Sequence, residues 1–498
     1  MNDRLDTRGQ AEIGGHKVML RSLFTSVTGL KIHQTKMDVI GNNIANVNTI
    51  GFKASTVTFA DAFYQTLQGA SGANATTGTA GRNAIQIGLG SKMASVTSTI
   101  TTTGAAERTD NPFDLMIEGD SFFIVNSGGT NYFTKSGSFN LDNSGTLCTA
   151  SGATVMGWQV DENDETKTVA DAVSPLQIMS PENMYSEPEA TTQAYLSGNI
   201  DSKDTQLTSD TGVTVNIPFF DNLGNSYIAD LKITQTEDAT NAYNVAVTDI
   251  KDSSGQSIFV AKEVDETTGE VTYTNSSIST FSFGGVSYSV SDVAEDGTFT
   301  MDATESPILT FNASTGAFVS IGDGTTTDKT ATFSIVADPS PFSEIKVDFS
   351  SLTMYSQGGK SSVEATKGGL DGTGAGKQVG NLTGVSIDSA GKVYGQYDNG
   401  DKNLLGQIAV ASFANPAGLE AVGNSMYAAT KNSGEFDGIG QDVSQGGGSI
   451  STGVLEMSNV DLSEQFTQMI TTQRGFQANS RVITTSDTLL EELINLKR

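Results

Sequence analysis

The spacing of apolar residues divides the chain into two helical ends and a long middle of another period. Near the beginning, Leu23, Leu30, Met37 and Ile44 recur every seven residues, with Val27 and Gln34 between them at the fourth position. Near the end, Leu462, Met469, Phe476, Ile483 and Leu490 repeat the pattern, with Phe466 and Ile494 on the companion row. Alternating steps of three and four hold one stripe on one helix face, as in a coiled-coil seam. The companion row of the second helix also carries Gln473, Ser480 and Asp487, so that seam is partly polar. Neither helix can bury its stripe alone. The economical solution is for the two to pack together, or against copies of themselves.

Between the ends the period falls to two. "FDLMIEGDSFFIVNSGGTNYFTKSGSFNLDNSGTLCTASGATVMGW" alternates apolar and polar residues and breaks at Gly-Asp, Gly-Gly and Asn-Ser-Gly turns. The same texture returns in "LTGVSIDSAGKVYGQYDNGDKNLLGQIAVASF" and across roughly 190–345. "MSPENMYSEPEATTQ" and "VADPSPFSEIKVDF" mark boundaries before and after that third block. Two Gly-rich stretches, 65–92 and 431–453, stand at matching depth and read as connectors.

The expected fold is therefore mainly β with paired N- and C-terminal α-helices, a nested out-and-back multidomain architecture with β-rich outer domains. Residues 19–60 with 454–498 form a helical core domain, 61–92 with 431–453 connecting segments, 93–185 with 346–430 an inner β domain, and 186–345 an outer one. Residues 1–18 precede the pattern as a misplaced start or an unstructured leader, because "MLRSLFTSVTGL" makes a natural beginning.

Composition narrows the function. The 498 residues include 54 glycines, 9 prolines and only 17% charged side chains, with a formal charge of −29. Residues 20–60 carry a net +3 and 455–498 a net −2, so the acidity lies in the β-rich middle, a surface that repels nucleic acid and anionic membrane. No stretch has the roughly 18 apolar residues of a membrane span. One cysteine, Cys148, and two histidines, His16 and His33, leave little material for metal or acid–base chemistry, so neither cofactor nor metal is expected. The nearest approach to a phosphate loop, "MYSQGGKSS", has Met354 where the first glycine belongs. Nothing assembles an active site. Cys148 is a small strand residue, or alternatively a thiol for an intermolecular cross-link.

One segment fits a lone helix poorly. "VIGNNIANVNTIGFKAS" packs Asn42, Asn43, Asn46 and Asn48 beside the first seam, although asparagine competes for backbone hydrogen bonds. Asn48, Thr49 and Gly51 are suited to ending the helix.

This segment, within "SLFTSVTGLKIHQTKMDVIGNNIANVNTIGFKAS", resembles the N-terminal signature of bacterial flagellar rod and hook proteins. "GVLEMSNVDLSEQFTQMITTQRGFQANSRVITTSDTLLEELINLKR" resembles their C-terminal one. "IEGDSFFIV", "YFTKSGSF", "GATVMGW", "FFDNLGNSY" and "LGQIAVASFANPAGLEAVGNSMYAAT" are similar to the hook branch. The resemblance implies a structural, non-enzymatic subunit that polymerises into a flexible hollow tube joining rod to filament and transmitting torque. It implies paired helices lining a channel, export through the flagellar type III apparatus, and an extracellular place in the hook and basal body. Implied partners are further copies, rod proteins, a hook cap and hook–filament junction proteins. The assembly residues it implies are Leu23, Val27, Leu30, Met37, Asn42, Asn43, Ile44, Asn46, Asn48, Gly51 and Phe52, with Leu462, Phe466, Met469, Phe476, Ile483, Leu490 and Ile494. A distal rod subunit shares both ends but lacks the outer block. A secreted β-rich adhesin explains the strands but not two matched seams.

Overall fold

A computed structural model describes residues 3–73, 78, 80–161, 164–236, 239–264, 271–291, 293–303, 305–322, 328–337 and 340–496, with backbone alone at 3–20, 165, 166, 493 and 496. Helix α1 (Asp3–Ala45) opens the chain and α2 (Leu462–Leu496) closes it, and every other long element is a strand. The mainly β class with paired terminal helices is what the structure has. The chain forms two compact units. One is Met1–Asn183, Val385–Gly395 and Asn403–Arg498; the other, inserted into it, is Met184–Gly384 and Gln396–Lys402.

In the first unit the helices run antiparallel: Gly29 stands against Asn479, His33 against Gly475, and Asn43 against Gln465. After α1 the chain turns, and Gly51 adopts φ +67°. A Cβ there would lie 2.6 Å from the Ser136 nitrogen, so only glycine passes. Asp461 caps α2 by accepting from the Ser463 and Glu464 amides, with Glu464 in the first turn as in a capping box. A β core follows, built on the hairpin Phe122–Ser127/Thr130–Thr134. Its Gly128-Gly129 turn has positive φ at both positions, the twist such hairpins require. Phe123, Phe139, Leu147, Val155, Leu176, Ile408, Val443 and Ile450 fill that core.

The inserted unit packs a seven-stranded sheet and a five-stranded one around one apolar cluster. Strand Val213–Phe220 shows why: Val213, Val215, Ile217 and Phe219 point in while Thr214, Asn216 and Pro218 point out. The strand lies at the end of its sheet, where Pro218 withdraws no needed donor.

Three expectations change. Residues 346–384 belong to the inserted unit, not to the β core of the first: Ile345–Thr353 pairs with Thr330–Val336 and, in parallel, with Gln193–Asn199. The proline-rich boundary before it is a crossing within one unit. The Gly-rich stretches are not connectors either. Residues 55–68 pair with 85–98 in a long antiparallel ribbon, β1 (Ser55–Asp61) on β4 (Ser91–Ser98) and β2 (Tyr64–Gln68) on β3 (Ile85–Gly88). Segment 431–453 is packed, with Val443 and Ile450 buried and Asp442 accepting from Gln407. Finally, the leader expected to be unstructured is helical from Asp3 onward; Met1 and Asn2, and residues 497 and 498 of the helical core, lie outside the described residues.

Candidate assembly surface

The two helices meet, but not along their apolar rows. The buried or contacting positions of α1 are Ser26, Gly29, His33, Ile40 and Asn43. Those of α2 are Gln465, Thr472, Gly475, Asn479 and Ser486. Each row runs one position before the predicted stripe, a rotation of about 100° on both helices. Apart from Ile40, the seam inside the chain is thus made of small and polar side chains. Glycine lets the backbones close: a Cβ on Gly29 would stand 2.9 Å from Asn479, and one on Gly475 2.7 Å from His33.

The rotation turns the predicted apolar rows outward. Leu23, Leu30, Met37 and Ile44 on α1, and Met469, Phe476, Ile483 and Leu490 on α2, are half-buried. Val27, Leu462, Phe466 (50% exposed) and Ile494 (64%) are exposed, joined by Phe24, Ile470, Val482 and Leu489. A single exposed apolar residue is ordinary, but rows of them on paired helices mark a surface that something covers. The β ribbon adds to it: Phe63, Tyr64, Leu67, Ile85 and Ile87 all face solvent on a two-stranded element too thin to bury them. Sequence reading missed these five, although the alternation in "FYQTLQ" and "AIQIG" was there to find.

The asparagines serve the chain itself. The buried Asn43 amide works like a strand residue, accepting from the Ser55 nitrogen (3.0 Å) and donating to the Ser55 oxygen (2.8 Å) and to Gln465 Oε1 (3.1 Å). Asn46 donates to the Asn42 carbonyl and accepts from Thr49, closing the helix end. Asn459, in the "SNVD" that precedes α2, mirrors Asn43. It accepts from the Ala54 amide (2.7 Å) and donates to the Thr99 and Thr102 carbonyls. The bonds of Asn43 and Asn46 and the close approach at Gly51 are all made within the chain. Asn42 and Asn48 are exposed and Phe52 half-buried.

Beneath the helices lies a buried charge cluster that sequence reading did not flag. Lys53 Nζ donates to Glu456 Oε1 (2.7 Å) and to the Thr102 carbonyl (2.7 Å), and the Gly104 amide also donates to Glu456. Removing one member of such a pair costs about 3–5 kcal/mol, because the other stays charged and buried. Lys135 donates to the Gly119 carbonyl nearby; burial lowers its pKa to about 8, with Glu456 opposing and Lys53 reinforcing. The ion pair ties the segment between α1 and β1 to the strand before α2.

Elsewhere chemistry is spent on structure. The Gln357 and Gly359 amides donate to Asp201 and the Ser361 amide to Asp204, so the loop that resembles a phosphate cradle holds the chain's own carboxylates. Cys148 is half-buried, and burial followed by the Asp142 charge raises its thiol pKa, which keeps the nucleophilic thiolate scarce. Among the described residues no group of three potential metal ligands occurs, and no helix is long and apolar enough to cross a membrane.

Residues 23–53 match the family described as flagella basal body rod protein, 116–188 the flagellar hook protein FlgE/F/G D1 domain, and 451–496 the flagellar basal body rod FlgEFG protein C-terminal. The chain is 34% identical to the flagellar hook protein FlgE of Borreliella burgdorferi, over 96% of this chain and all of the relative. It is 32% identical to that of Treponema pallidum over the same shares. The flagellar basal-body rod protein FlgG of Bacillus subtilis is 28% identical, again over 96% of this chain and all of that one.

Proposed function

The chain belongs to the flagellar hook protein FlgE family, and from that premise we propose that its outward apolar helix rows and β ribbon are the surfaces through which copies polymerise into a hollow, flexible hook. It is a structural subunit of the flagellar hook and basal body, and its partners are copies of itself and other axial proteins. The rod alternative is less favoured, since the hook proteins of Borreliella burgdorferi and Treponema pallidum are 34% and 32% identical and the rod protein FlgG of Bacillus subtilis 28%.

The observation that carries this reading is the rotated seam. A helix pair closed mainly by Gly, Ser, Thr, His, Gln and Asn, with Ile40 the large apolar side chain in the row, gains little from apolar burial, whereas covering Val27, Phe466, Ile470 and Ile494 with neighbouring copies gains about 25 cal/mol per Å². Mass action then stabilises the polymer over the monomer. Torque passes between rod and filament through the stack. Elongation under a hook cap, junction proteins beyond the last copy, and delivery through the type III export apparatus complete the role. Cys148 remains the one thiol for a covalent link between copies, disfavoured by its raised pKa. The β-rich adhesin has no use for two outward apolar rows.

Deleting residues 462–498 tests the proposal. The truncated chain is expected to stay folded in both β regions but to remain monomeric at concentrations where the full chain forms tubes in electron micrographs. Tubes from the truncated chain would overturn it.

A further inference from the structure

His33 is the one described histidine side chain, and it sits in the seam between the helices. Its imidazole lies against Gly475 of α2, where a Cβ would come within 2.7 Å of both Cε1 and Nε2. The Phe59 ring of β1 covers it edge-on at 6.4 Å. Its Nδ1 is buried and has no hydrogen-bond partner among the described residues. A neutral imidazole tolerates this by keeping its proton on Nε2 and its lone pair on Nδ1. A protonated one cannot, because Nδ1 then carries an N–H with nothing to accept it.

We propose that His33 makes the helical pair an acid-release element: the helices close around the neutral imidazole, and protonating it opens them. The charges facing the ring give the cation no help. On α1, Lys36 adds a like charge. From α2 the ring meets Gly475, whose neighbour Arg474 is exposed; from β1 it meets Phe59, with Asp61 exposed at the strand end. Burial and then Lys36 hold the imidazole below its ordinary 6.5. Above that value both open and closed forms are neutral and nothing is lost. As pH falls from 6.5 through the lowered value, the open form takes up a proton that the closed form refuses, and closure weakens. The consequence for assembly rests on the polymerisation reading, because an opened pair no longer presents its apolar rows together.

The test uses the full chain carrying His16→Gln, so that the remaining imidazole resonance belongs to His33. Its titration midpoint by NMR is expected below 6.5. Hydrogen exchange across Ser26–Asn43 and Gln465–Ser486, divided by the intrinsic amide rate at each pH, is expected to rise severalfold between pH 7.5 and about pH 5, while the same ratio for strand Ile345–Thr353 stays constant. His33→Gln should abolish the rise. A midpoint at or above 6.5, flat exchange in the parent, or an undiminished rise in His33→Gln overturns the proposal. Should His33→Gln fail to close at pH 7.5, the NMR midpoint decides alone. Tube formation at pH 7.5 is scored separately: its absence with the switch intact refutes the assembly reading only.

Discussion

The inserted unit and the helical pair place their large apolar side chains in opposite ways. In the inserted unit Phe219, Phe281, Phe283, Phe333 and Phe349 are all buried, Phe281 stacks on Tyr288 at 4.8 Å, and strand alternation sends polar partners outward. In the helical pair Phe24 and Phe466 face out while Ser26, Gly29, Thr472 and Gly475 face in. The first arrangement completes its core within one chain. On the proposed reading the second leaves its core to be completed by another, and its stability should then depend on protomer concentration. The same residue type is therefore worth different amounts in the two regions, and that is measurable.

The largest effect is expected in the inserted unit. Phe349 is fully buried among Phe283, Phe318 and neighbouring strands. Phe349→Ala should cost about 3–5 kcal/mol of that unit's stability. The chain's single tryptophan, Trp158, is buried in the other unit and donates to the Asp171 and Ile439 carbonyls. Thermal unfolding should thus show one calorimetric transition displaced by the mutation, while the transition read from Trp158 fluorescence is not. A loss below about 1 kcal/mol would mean the two regions do not differ as described.

A smaller, pH-dependent effect is expected where the helices join the β core. Lys135 is lowered from 10.5 to about 8 by burial, so the fold bears the cost of its charge below pH 8. Between about 8 and 10.5 the unfolded chain binds more protons than the folded one, and stability rises with pH. The gain is at most about 3 kcal/mol. Urea midpoints read from Trp158 at pH 7.5 and 10 should show it, and Lys135→Met should flatten it. Equal slopes in parent and variant would show that the charge is solvated and the junction open.

How much of this was readable beforehand follows from what each signal encodes. Periodicity reports which side chains are apolar, and it found helices over Leu23–Ile44 and Leu462–Ile494, although α1 already runs from Asp3. It does not report which face meets which partner. The facing row was written in Gly29, Gly475, Ser26 and Thr472, small residues that only gain meaning once two backbones approach. Glycine content suggested flexible connectors at 65–92 and 431–453, yet alternation outweighs glycine in the ribbon, and Val443 and Ile450 anchor the second stretch. The ion pair Lys53–Glu456 spans 403 residues of sequence, a distance no local pattern bridges.

The smallest effect on the monomer is expected to be the largest on assembly. Phe466 is half exposed on α2 and lies outside the seam that holds α2 to α1. Phe466→Ser removes apolar surface that a single chain never buries, so its unfolding midpoint should shift by less than about 0.5 kcal/mol. If Phe466 lies at the proposed contact, the same change forfeits burial in every copy of the polymer and puts a polar hydroxyl where a ring would be covered. Sedimentation and electron microscopy should therefore find a well-folded monomer that no longer forms tubes. If Phe466→Ser destabilises the monomer as strongly as Phe349→Ala does the inserted unit, the row is an internal core after all. If tubes persist unchanged, the contact between copies runs through other residues. Either result would redraw the boundary between what this chain folds alone and what it completes with its neighbours.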